Sequence, residues 1–418
     1  MAESTLAERV ISRPEFIALI AALMALNSLA IDVMLPALPN IGASLGVASE
    51  NERQLVIAAY MIGFGVAQLG FGPISDRFGR RLPLLVGVVI YVIAAFLVVP
   101  TQSFYMLLAL RVLQGVGAAA TRVVAMSAVR DRFSGRDMAQ VMSLAFMVFM
   151  ALPVVAPGIG QMILLIGSWQ DIFLFMSGLA TVIGVWAFFR MPETLKKEHQ
   201  RPLSLASVTK GFTLVLTNRA AFFYGLCGAL LFGGMFGYIS SAQQIYVDIY
   251  HLGPYFPLVF AVMASVMMGS NFLNAKMVKG LGMRRISHTA VLLIIGFSGT
   301  MVVWSHFGLP PFPVFFCLLT AILFLYGLAP NNINALSMEP LGEVAGTASS
   351  VFGFMQTVGG ALLGSFTGQS FDGTVTPVSL GYFVFGGLTL IGILIAEKGK
   401  LFGVGEQYKD TPVHVFSD

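Results

Sequence analysis

The sequence predicts an all-α polytopic membrane protein with twelve membrane-spanning helices. Only 11% of its 418 residues are charged and 57% are hydrophobic, with a mean hydropathy of +0.84, whereas a soluble domain carries about 25% charged residues. Apolar runs of about 20 residues, the length that crosses a bilayer core of about 30 Å, recur along the chain. Because the basic residues lie in the loops beside these runs, the net charge of +4 indicates membrane topology and not a nucleic-acid-binding surface.

Twelve apolar segments define the predicted spans. The first follows a polar segment with Arg9 and Arg13 and lacks a cleavage-type ending, so we expect it to be retained as a signal anchor. Cys227 and Cys317 both lie inside apolar segments and form no metal-binding or disulfide pattern. The spans cover residues 16–36, 54–74, 82–99, 104–126, 138–166, 169–189, 220–241, 255–275, 287–304, 312–335, 345–367 and 378–396.

Lys and Arg are distributed unevenly between the loops, which predicts the orientation. They occur before span one, after spans two, four, six and eight, and in the C-terminal tail, while the loops on the other side hold Arg53 alone. Both termini are therefore predicted to be cytoplasmic, in agreement with an even number of spans.

The longest polar gap divides the chain into two halves of six spans. We predict an N-terminal cytoplasmic segment 1–15, a first half 16–190, a cytoplasmic linker 191–219, a second half 220–397 and a cytoplasmic tail 398–418. Two six-span halves related by repetition favour alternating access around a central site.

The stretch GPISDRFGRR (72–81) places charges and glycines directly after span two. Gly79 permits a tight turn, and Asp76 either sits at a helix N-terminus or accepts a hydrogen bond from a basic residue. The stretch KMVKGLGMRR (276–285) follows span eight in the same way but lacks the Asp. Taken alone, Gly72, Asp76, Arg77, Gly79, Arg80 and Arg81 predict a charged turn, and a gating role for them is implied only by resemblance to a transporter family.

Three charged residues fall inside predicted spans: Asp32 in span one, and Arg111 and Arg122 in span four. An ionised side chain near mid-bilayer costs several kcal/mol unless it is paired or hydrated. Asp32 is either in a static ion pair with Arg111 or a carboxyl that binds and releases a proton, since burial favours its neutral form and a nearby Arg its charged form. Arg122 recurs on the face of Arg111 and is either structural, with its head group reaching toward the interface, or part of a cavity.

Small residues and proline in the spans indicate packing and bending. The runs containing Gly115 and Gly117, and Gly360, Gly364 and Gly368, permit close helix contact. Pro157, Gly158 and Gly160 are predicted to bend span five and to stop protons leaking past it. The 35 Phe and 22 Met suggest a soft apolar cavity. Its candidate polar residues are Tyr60, Gln114, Arg122, Tyr238, Asn331 and Gln356.

In combination, several motifs resemble the major facilitator superfamily. The stretch 72–81 resembles its loop between spans two and three, LRVLQGVGAA (110–119) its Arg–Gln–Gly motif, and APGIG (156–160) the antiporter motif of its drug/proton branch. IDVMLPALP (31–39) and MPETL (191–195) are similar to the bicyclomycin/chloramphenicol resistance (Bcr/CflA) group. The resemblance implies the major facilitator fold and a loop 72–81 that holds the two halves together on the cytoplasmic side.

The expected function is proton-coupled export of small lipophilic antibiotics across a bacterial inner membrane, of the chloramphenicol or bicyclomycin type. Export of an endogenous metabolite or siderophore is the alternative. No phosphate-binding loop occurs in the sequence, so we expect the proton motive force and no cofactor to drive transport. The expected partners are drug, protons and lipid, with the chain a monomer. An intramembrane enzyme is disfavoured, because the five His residues lie in loops or at span ends and no catalytic pattern occurs.

Overall fold

The computed structural model describes residues 11–47, 49–133, 135–196, 198, 200 and 205–403, and within these ranges it contains helices and no β-strand. Both predicted termini therefore lie largely outside the described residues. The predicted all-α class is confirmed. The twelve spanning helices are α1 (Arg13–Asp32), α2 (Leu55–Phe78), α3 (Arg81–Val98), α4 (Phe104–Arg132), α5 (Gly135–Ile166), α6 (Trp169–Arg190), α7 (Arg219–Gln243), α8 (Phe256–Leu281), α9 (Met283–His306), α10 (Phe312–Met338), α11 (Ala345–Phe354, a π-helical turn Met355–Gly359, and Gly360–Gln369) and α12 (Thr376–Ala396).

Ten of these helices are long and apolar enough, within the described residues, to cross a membrane. The other two are α5, whose apolar part is Ala151–Ile166, and α11, which the π-helical turn divides. Together they account for the twelve predicted spans.

The first span ends earlier than its hydropathy predicts. Asp32, expected about one turn before the end of the helix, is the last residue of α1. Pro36 lies in the 3-10 turn that follows, and Pro39 lies in the first turn of the short helix Leu38–Ser44. Because proline has no backbone N–H to donate, a continuous helix is interrupted here.

The two halves repeat the same packing. In the first half, α1 contacts α4, α5 and α6; α2 contacts α4; and α3 contacts α4 and α6. In the second half, α7 contacts α10, α11 and α12; α8 contacts α10; and α9 contacts α10 and α12. The halves meet where α2 packs against α11 and α5 packs against α8. In each contact the second helix of one half packs against the fifth helix of the other half, as expected for an internal repeat.

Helices α2 and α11 run antiparallel along this seam. We call the end of the bundle that holds the turn Phe78–Arg81 the basic face and the end that holds Asp32 the opposite face. At the opposite face Asn51 Nδ2 donates to the carbonyls of Gln369 (3.0 Å) and Phe371 (2.8 Å). Amide groups therefore hold the halves together there.

Glycines allow the close helix contacts predicted from the sequence. A Cβ on Gly115 would lie 2.0 Å from the Tyr60 carbonyl oxygen of α2, and one on Gly364 would lie 2.4 Å from Cβ of Phe236 in α7. Neither position has room for a larger side chain.

The described part of the segment between the halves includes a helix. This helix, Leu205–Thr217, contacts α7 and the first part of α11. Val215 on this helix is buried in a small cluster with Val351 and Phe352. This apolar contact ties the linker to the second half.

Candidate functional site

Asp32 is a buried carboxylate at the opposite face. Its side chain accepts a hydrogen bond from Ser28 Oγ at 3.0 Å, one turn earlier in α1, and the residue is 5% exposed. No salt bridge to Asp32 occurs within the described part of the chain. It is thus a carboxylate in a low-dielectric setting with a single neutral donor.

Arg111 does not form the static ion pair with Asp32 that was one interpretation of the sequence. Its guanidinium is fully buried and donates to Gln114 Oε1 (2.7 Å), to the Ala30 carbonyl (2.9 Å) and to the Val56 carbonyl (3.1 Å). The geometry differs because the open carbonyls at the end of a helix are strong acceptors and carry partial negative charge. Ala30 is such a carbonyl, in the last turn of α1.

Arg111 thus contacts the backbone of α1 near Asp32 and not the Asp32 side chain. It fixes the last turn of α1, two residues before the carboxylate, and its guanidinium stacks over the Tyr60 ring at 4.6 Å from the ring centroid. Tyr60 in turn donates to Asn27 Oδ1 of α1 at 2.8 Å. A shift of α4 relative to α1 and α2 would consequently change the surroundings of Asp32.

The antiporter motif lies directly against this end of α1. A Cβ on Gly160 would lie 1.9 Å from the Val33 carbonyl oxygen and 3.1 Å from Cγ of Pro36, whereas one on Gly158 would meet nothing within 4 Å. Pro157 lies inside α5, where it removes a backbone hydrogen bond. The motif thus brings the backbone of α5 into contact with the residue after Asp32.

Arg122 lies on the face of α4 that carries Arg111. It is half-buried, and its guanidinium lies 5.7 Å from the centroid of the Phe64 ring of α2. The two arginines thus stack on residues one helical turn apart in α2, Tyr60 and Phe64. The predicted shared face is observed.

The polar residues predicted for a cavity divide into two groups. Tyr60, Gln114 and Tyr238 are buried within their own halves. Asn331 is exposed, and Gln356 and Arg122 are half-buried. Asn331 donates to Asn271 Oδ1 (2.5 Å), and Gln356 donates to Asn334 Oδ1 (3.3 Å).

The loop 72–81 forms an ionic cluster at the basic face. Arg80 donates to Asp76 (2.6 Å) and to Asp131 at the end of α4 (2.7 Å). Burial lowers the pKa of Arg80, but the hydrogen bonds to Asp131 and Asp76 outweigh it and raise this pKa above its usual range. Of the two roles considered for Asp76, the structure shows the second: Asp76 accepts a hydrogen bond from an Arg side chain.

Glu193, from the segment after α6, completes this cluster. Its carboxylate accepts from the backbone N–H of Arg80 (2.8 Å) and of Arg81 (3.1 Å), where α3 begins, so it sits at the positive end of that helix. Gly79 has φ +86°, and a Cβ there would lie 2.4 Å from Glu193 Oε2. Glycine is therefore needed both for the turn and for the approach of Glu193.

The other predicted loop residues have less specific surroundings. Gly72 faces Ser350 of α11 at an ordinary contact distance of 3.6 Å from its ideal Cβ. Arg77 is exposed, and Arg81 donates to the Phe188 carbonyl at 2.6 Å. Within the described residues, the polar partners of Asp76, Arg80 and Arg81 belong to the first half or to the segment that directly follows α6.

The second half contains a matching cluster that the sequence analysis missed. Arg284, in the echo of the loop, donates to Glu339 at the end of α10 (2.8 Å) and to Glu397 after α12 (2.7 Å). These acids stand where Asp131 and Glu193 stand in the first half, and Gly282 has φ +79° where Gly79 has +86°. The sequence did contain a signal for these clusters: each half has one acidic residue at the end of its fourth helix and another after its sixth helix.

Comparisons with known proteins identify the family and the fold of this chain. Residues 20–364 match the family described as Major Facilitator Superfamily. The D-xylose-proton symporter structure aligns with a TM-score of 0.70 at 13% identity, covering 92% of this chain and 98% of that one. The chain belongs to the major facilitator superfamily, whose members are transporters and not enzymes, and it is a multi-pass membrane protein.

Relatives of known name point to one branch of this superfamily. The bicyclomycin resistance protein homolog of Haemophilus influenzae is 30% identical over 91% of this chain and 94% of its own length. The chloramphenicol resistance protein of Pseudomonas aeruginosa is 32% identical over 81% of this chain and 80% of its own length. The resemblance to the Bcr/CflA group that the motifs predict is confirmed.

Proposed function

We propose that the protein is a proton-coupled exporter of small lipophilic antibiotics that works by alternating access. The proposal is carried by the burial of Asp32, which is the one buried acidic residue among the described residues. Asp32 combines a single neutral hydrogen bond with contact to the antiporter motif through Val33. The names of the relatives support antibiotics of the bicyclomycin or chloramphenicol type as substrates.

In this proposal Asp32 takes up a proton from the opposite face and releases it toward the basic face. Arg111 and Gly160 position the end of α1, so that movement of α4 or α5 changes the access of water to the carboxylate. One proton entering is worth about 2.3 kcal/mol per 100 mV, which sustains about a fifty-fold drug gradient at about 1.36 kcal/mol per decade. No bound cofactor is needed.

The proposal includes a location and an orientation. The bacterial relatives and the concentration of Arg and Lys at the basic face support a bacterial inner membrane with this face cytoplasmic. Both termini then lie in the cytoplasm, and the chain works as a monomer.

The test is drug accumulation with an imposed pH difference. Proteoliposomes containing the native protein should concentrate chloramphenicol or bicyclomycin when the pH gradient is applied, and the Asp32→Asn variant should exchange the drug only down its gradient. Asp372→Asn, which changes an exposed acid in a loop of the opposite face, is the matched control and should behave like the native protein. Uphill accumulation by Asp32→Asn would refute the coupling role of Asp32.

A susceptibility panel extends the test to substrate choice. An efflux-deficient bacterium should become resistant to one or more lipophilic antibiotics when it expresses the native gene, and Asp32→Asn should abolish this resistance at equal protein level. Resistance to none of them, combined with pH-driven transport of a cell extract component, would favour export of an endogenous metabolite instead.

A further inference from the structure

Arg122 is a cation in the middle of the bundle that has no acidic partner among the described residues. Within the described residues it has no salt bridge and no hydrogen bond, and its one specific contact is the ring of Phe64. At about 1.5 Å per residue, Phe64 lies about 14 Å from Leu55 and about 21 Å from Phe78, the two ends of α2. The guanidinium is therefore close to mid-membrane, where an unpaired charge costs several kcal/mol.

The exposed part of Arg122 faces the interior of the bundle and not lipid. The eleven residues from Arg111 to Arg122 turn the helix by about 1,100°, within about 20° of three full turns. Arg111, on the same face, is fully buried and binds carbonyls of both α1 and α2. Since that face points between α1 and α2, the half-buried Arg122 opens onto an internal space.

This space adjoins the seam between the halves. Gly65, next to Phe64, would place a Cβ 2.6 Å from Val358 of α11. One turn further along α2, Gln68 donates to Thr357 Oγ1 at 3.3 Å. Arg122 thus lies beside the helix pair that must separate when the halves move.

Neutral hydrogen-bonding groups surround the seam on the side of the second half. Gln356 lies in the π-helical turn of α11, a distortion that is frequent at functional sites. Its amide reaches Asn334 of α10, and Asn331 pairs with Asn271 of α8. These amides can orient a polar ligand but cannot balance the charge of Arg122.

We propose that Arg122 binds the acidic group of a second class of transported compounds, lipophilic aromatic carboxylates, in addition to the neutral antibiotics of the proposed function. The proposal rests on the transport function proposed above and extends its range of substrates. A bound carboxylate would pair with the planar guanidinium through two parallel hydrogen bonds, while the buried ring of Phe64 supports the guanidinium. A neutral compound of the same shape would leave the guanidinium uncompensated.

The test compares two compounds of the same shape that differ in charge. Binding of 2-naphthoate, which is ionised at neutral pH, and of its neutral amide 2-naphthamide is measured on the purified full chain in nanodiscs. The native protein should bind 2-naphthoate at least ten-fold more tightly than 2-naphthamide. In Arg122→Gln this ratio should fall to about one through loss of naphthoate binding, while Arg122→Lys should retain part of it.

Controls separate recognition from folding and from transport. Arg130→Gln, which changes an exposed Arg near the end of the same helix, should keep the native ratio. Equal binding of the two compounds by the native protein would overturn the proposal whether or not the Arg122 variants fold, and so would an unchanged ratio in a folded Arg122→Gln. If the native protein exports antibiotics but binds 2-naphthoate and 2-naphthamide equally, the carboxylate proposal alone is refuted. If it prefers 2-naphthoate but shows no pH-driven transport, the exporter function alone is refuted.

Discussion

Replacing Gly160 by Ala tests whether the antiporter motif works through a close helix contact. The added Cβ would lie 1.9 Å from the Val33 carbonyl oxygen, so α1 and α5 must separate by about 1.3 Å to restore a contact of about 3.2 Å. Backbone cannot move aside as a flexible side chain can. Overpacking of this kind costs about 1–3 kcal/mol, and the clash with backbone favours the upper end.

A gain in helix propensity offsets part of this cost. Ala is favoured over Gly within a helix by up to about 1 kcal/mol, which leaves a net destabilisation of about 2 kcal/mol for Gly160→Ala. Gly158→Ala is the matched control in the same motif, because its Cβ would meet nothing within 4 Å. It should leave stability unchanged or raise it slightly.

The assay is thermal unfolding of the purified variants in one detergent, followed by pH-driven drug transport. Gly160→Ala should unfold at a lower temperature than the native protein and lose most of its transport, since the contact lies next to Asp32. Gly158→Ala should match the native protein in both measurements. Equal behaviour of the two variants would show that the motif does not act through this contact.

Three further predictions concern the faces of the bundle. Gly79→Ala should destabilise the protein by about 1–3 kcal/mol, because its φ of +86° is strained for other residues. Asp131→Asn should destabilise it by about 1–3 kcal/mol, because the buried Arg80 would keep one acidic partner in place of two. Thermal unfolding measures both effects, and native-like stability of either variant would contradict the prediction for it. A disulfide between Cys introduced at Asn51 and Gln369, which are hydrogen-bonded across the seam, should stop transport until a reductant is added, whereas undiminished transport by the cross-linked protein would show that this seam need not open.

The sequence was sufficient for the class, the number of spans and the family. Span length and the distribution of Lys and Arg are local properties, because each helix meets the same hydrocarbon requirement independently of its neighbours. The motif containing Asp76 and Gly79 was recognised for the same reason. Errors occurred where a local break competes with hydropathy, as at Pro36, where α1 ends sooner than its apolar run.

The ionic clusters at the basic face could not be predicted from hydropathy. Asp131 and Glu193 are separated from Arg80 by 51 and 113 positions in the chain, and only the packing of α3, α4 and α6 brings them together. The loop itself was predicted, but its partners were not. The same holds for Arg284 and its two acids.

The sequence by itself determined which charges lie within the membrane: Asp32, Arg111 and Arg122. Only the tertiary structure decided their partners. Arg111 binds the open carbonyl of Ala30 and not the carboxylate of Asp32. Arg122, three turns deeper on the same face, has the ring of Phe64 beside it and no acidic partner in the part of the chain that the structure describes. The physical reason is that helical periodicity fixes the direction of a side chain on its own helix, whereas the atoms it meets depend on the depth and crossing of neighbouring helices, which local sequence does not specify.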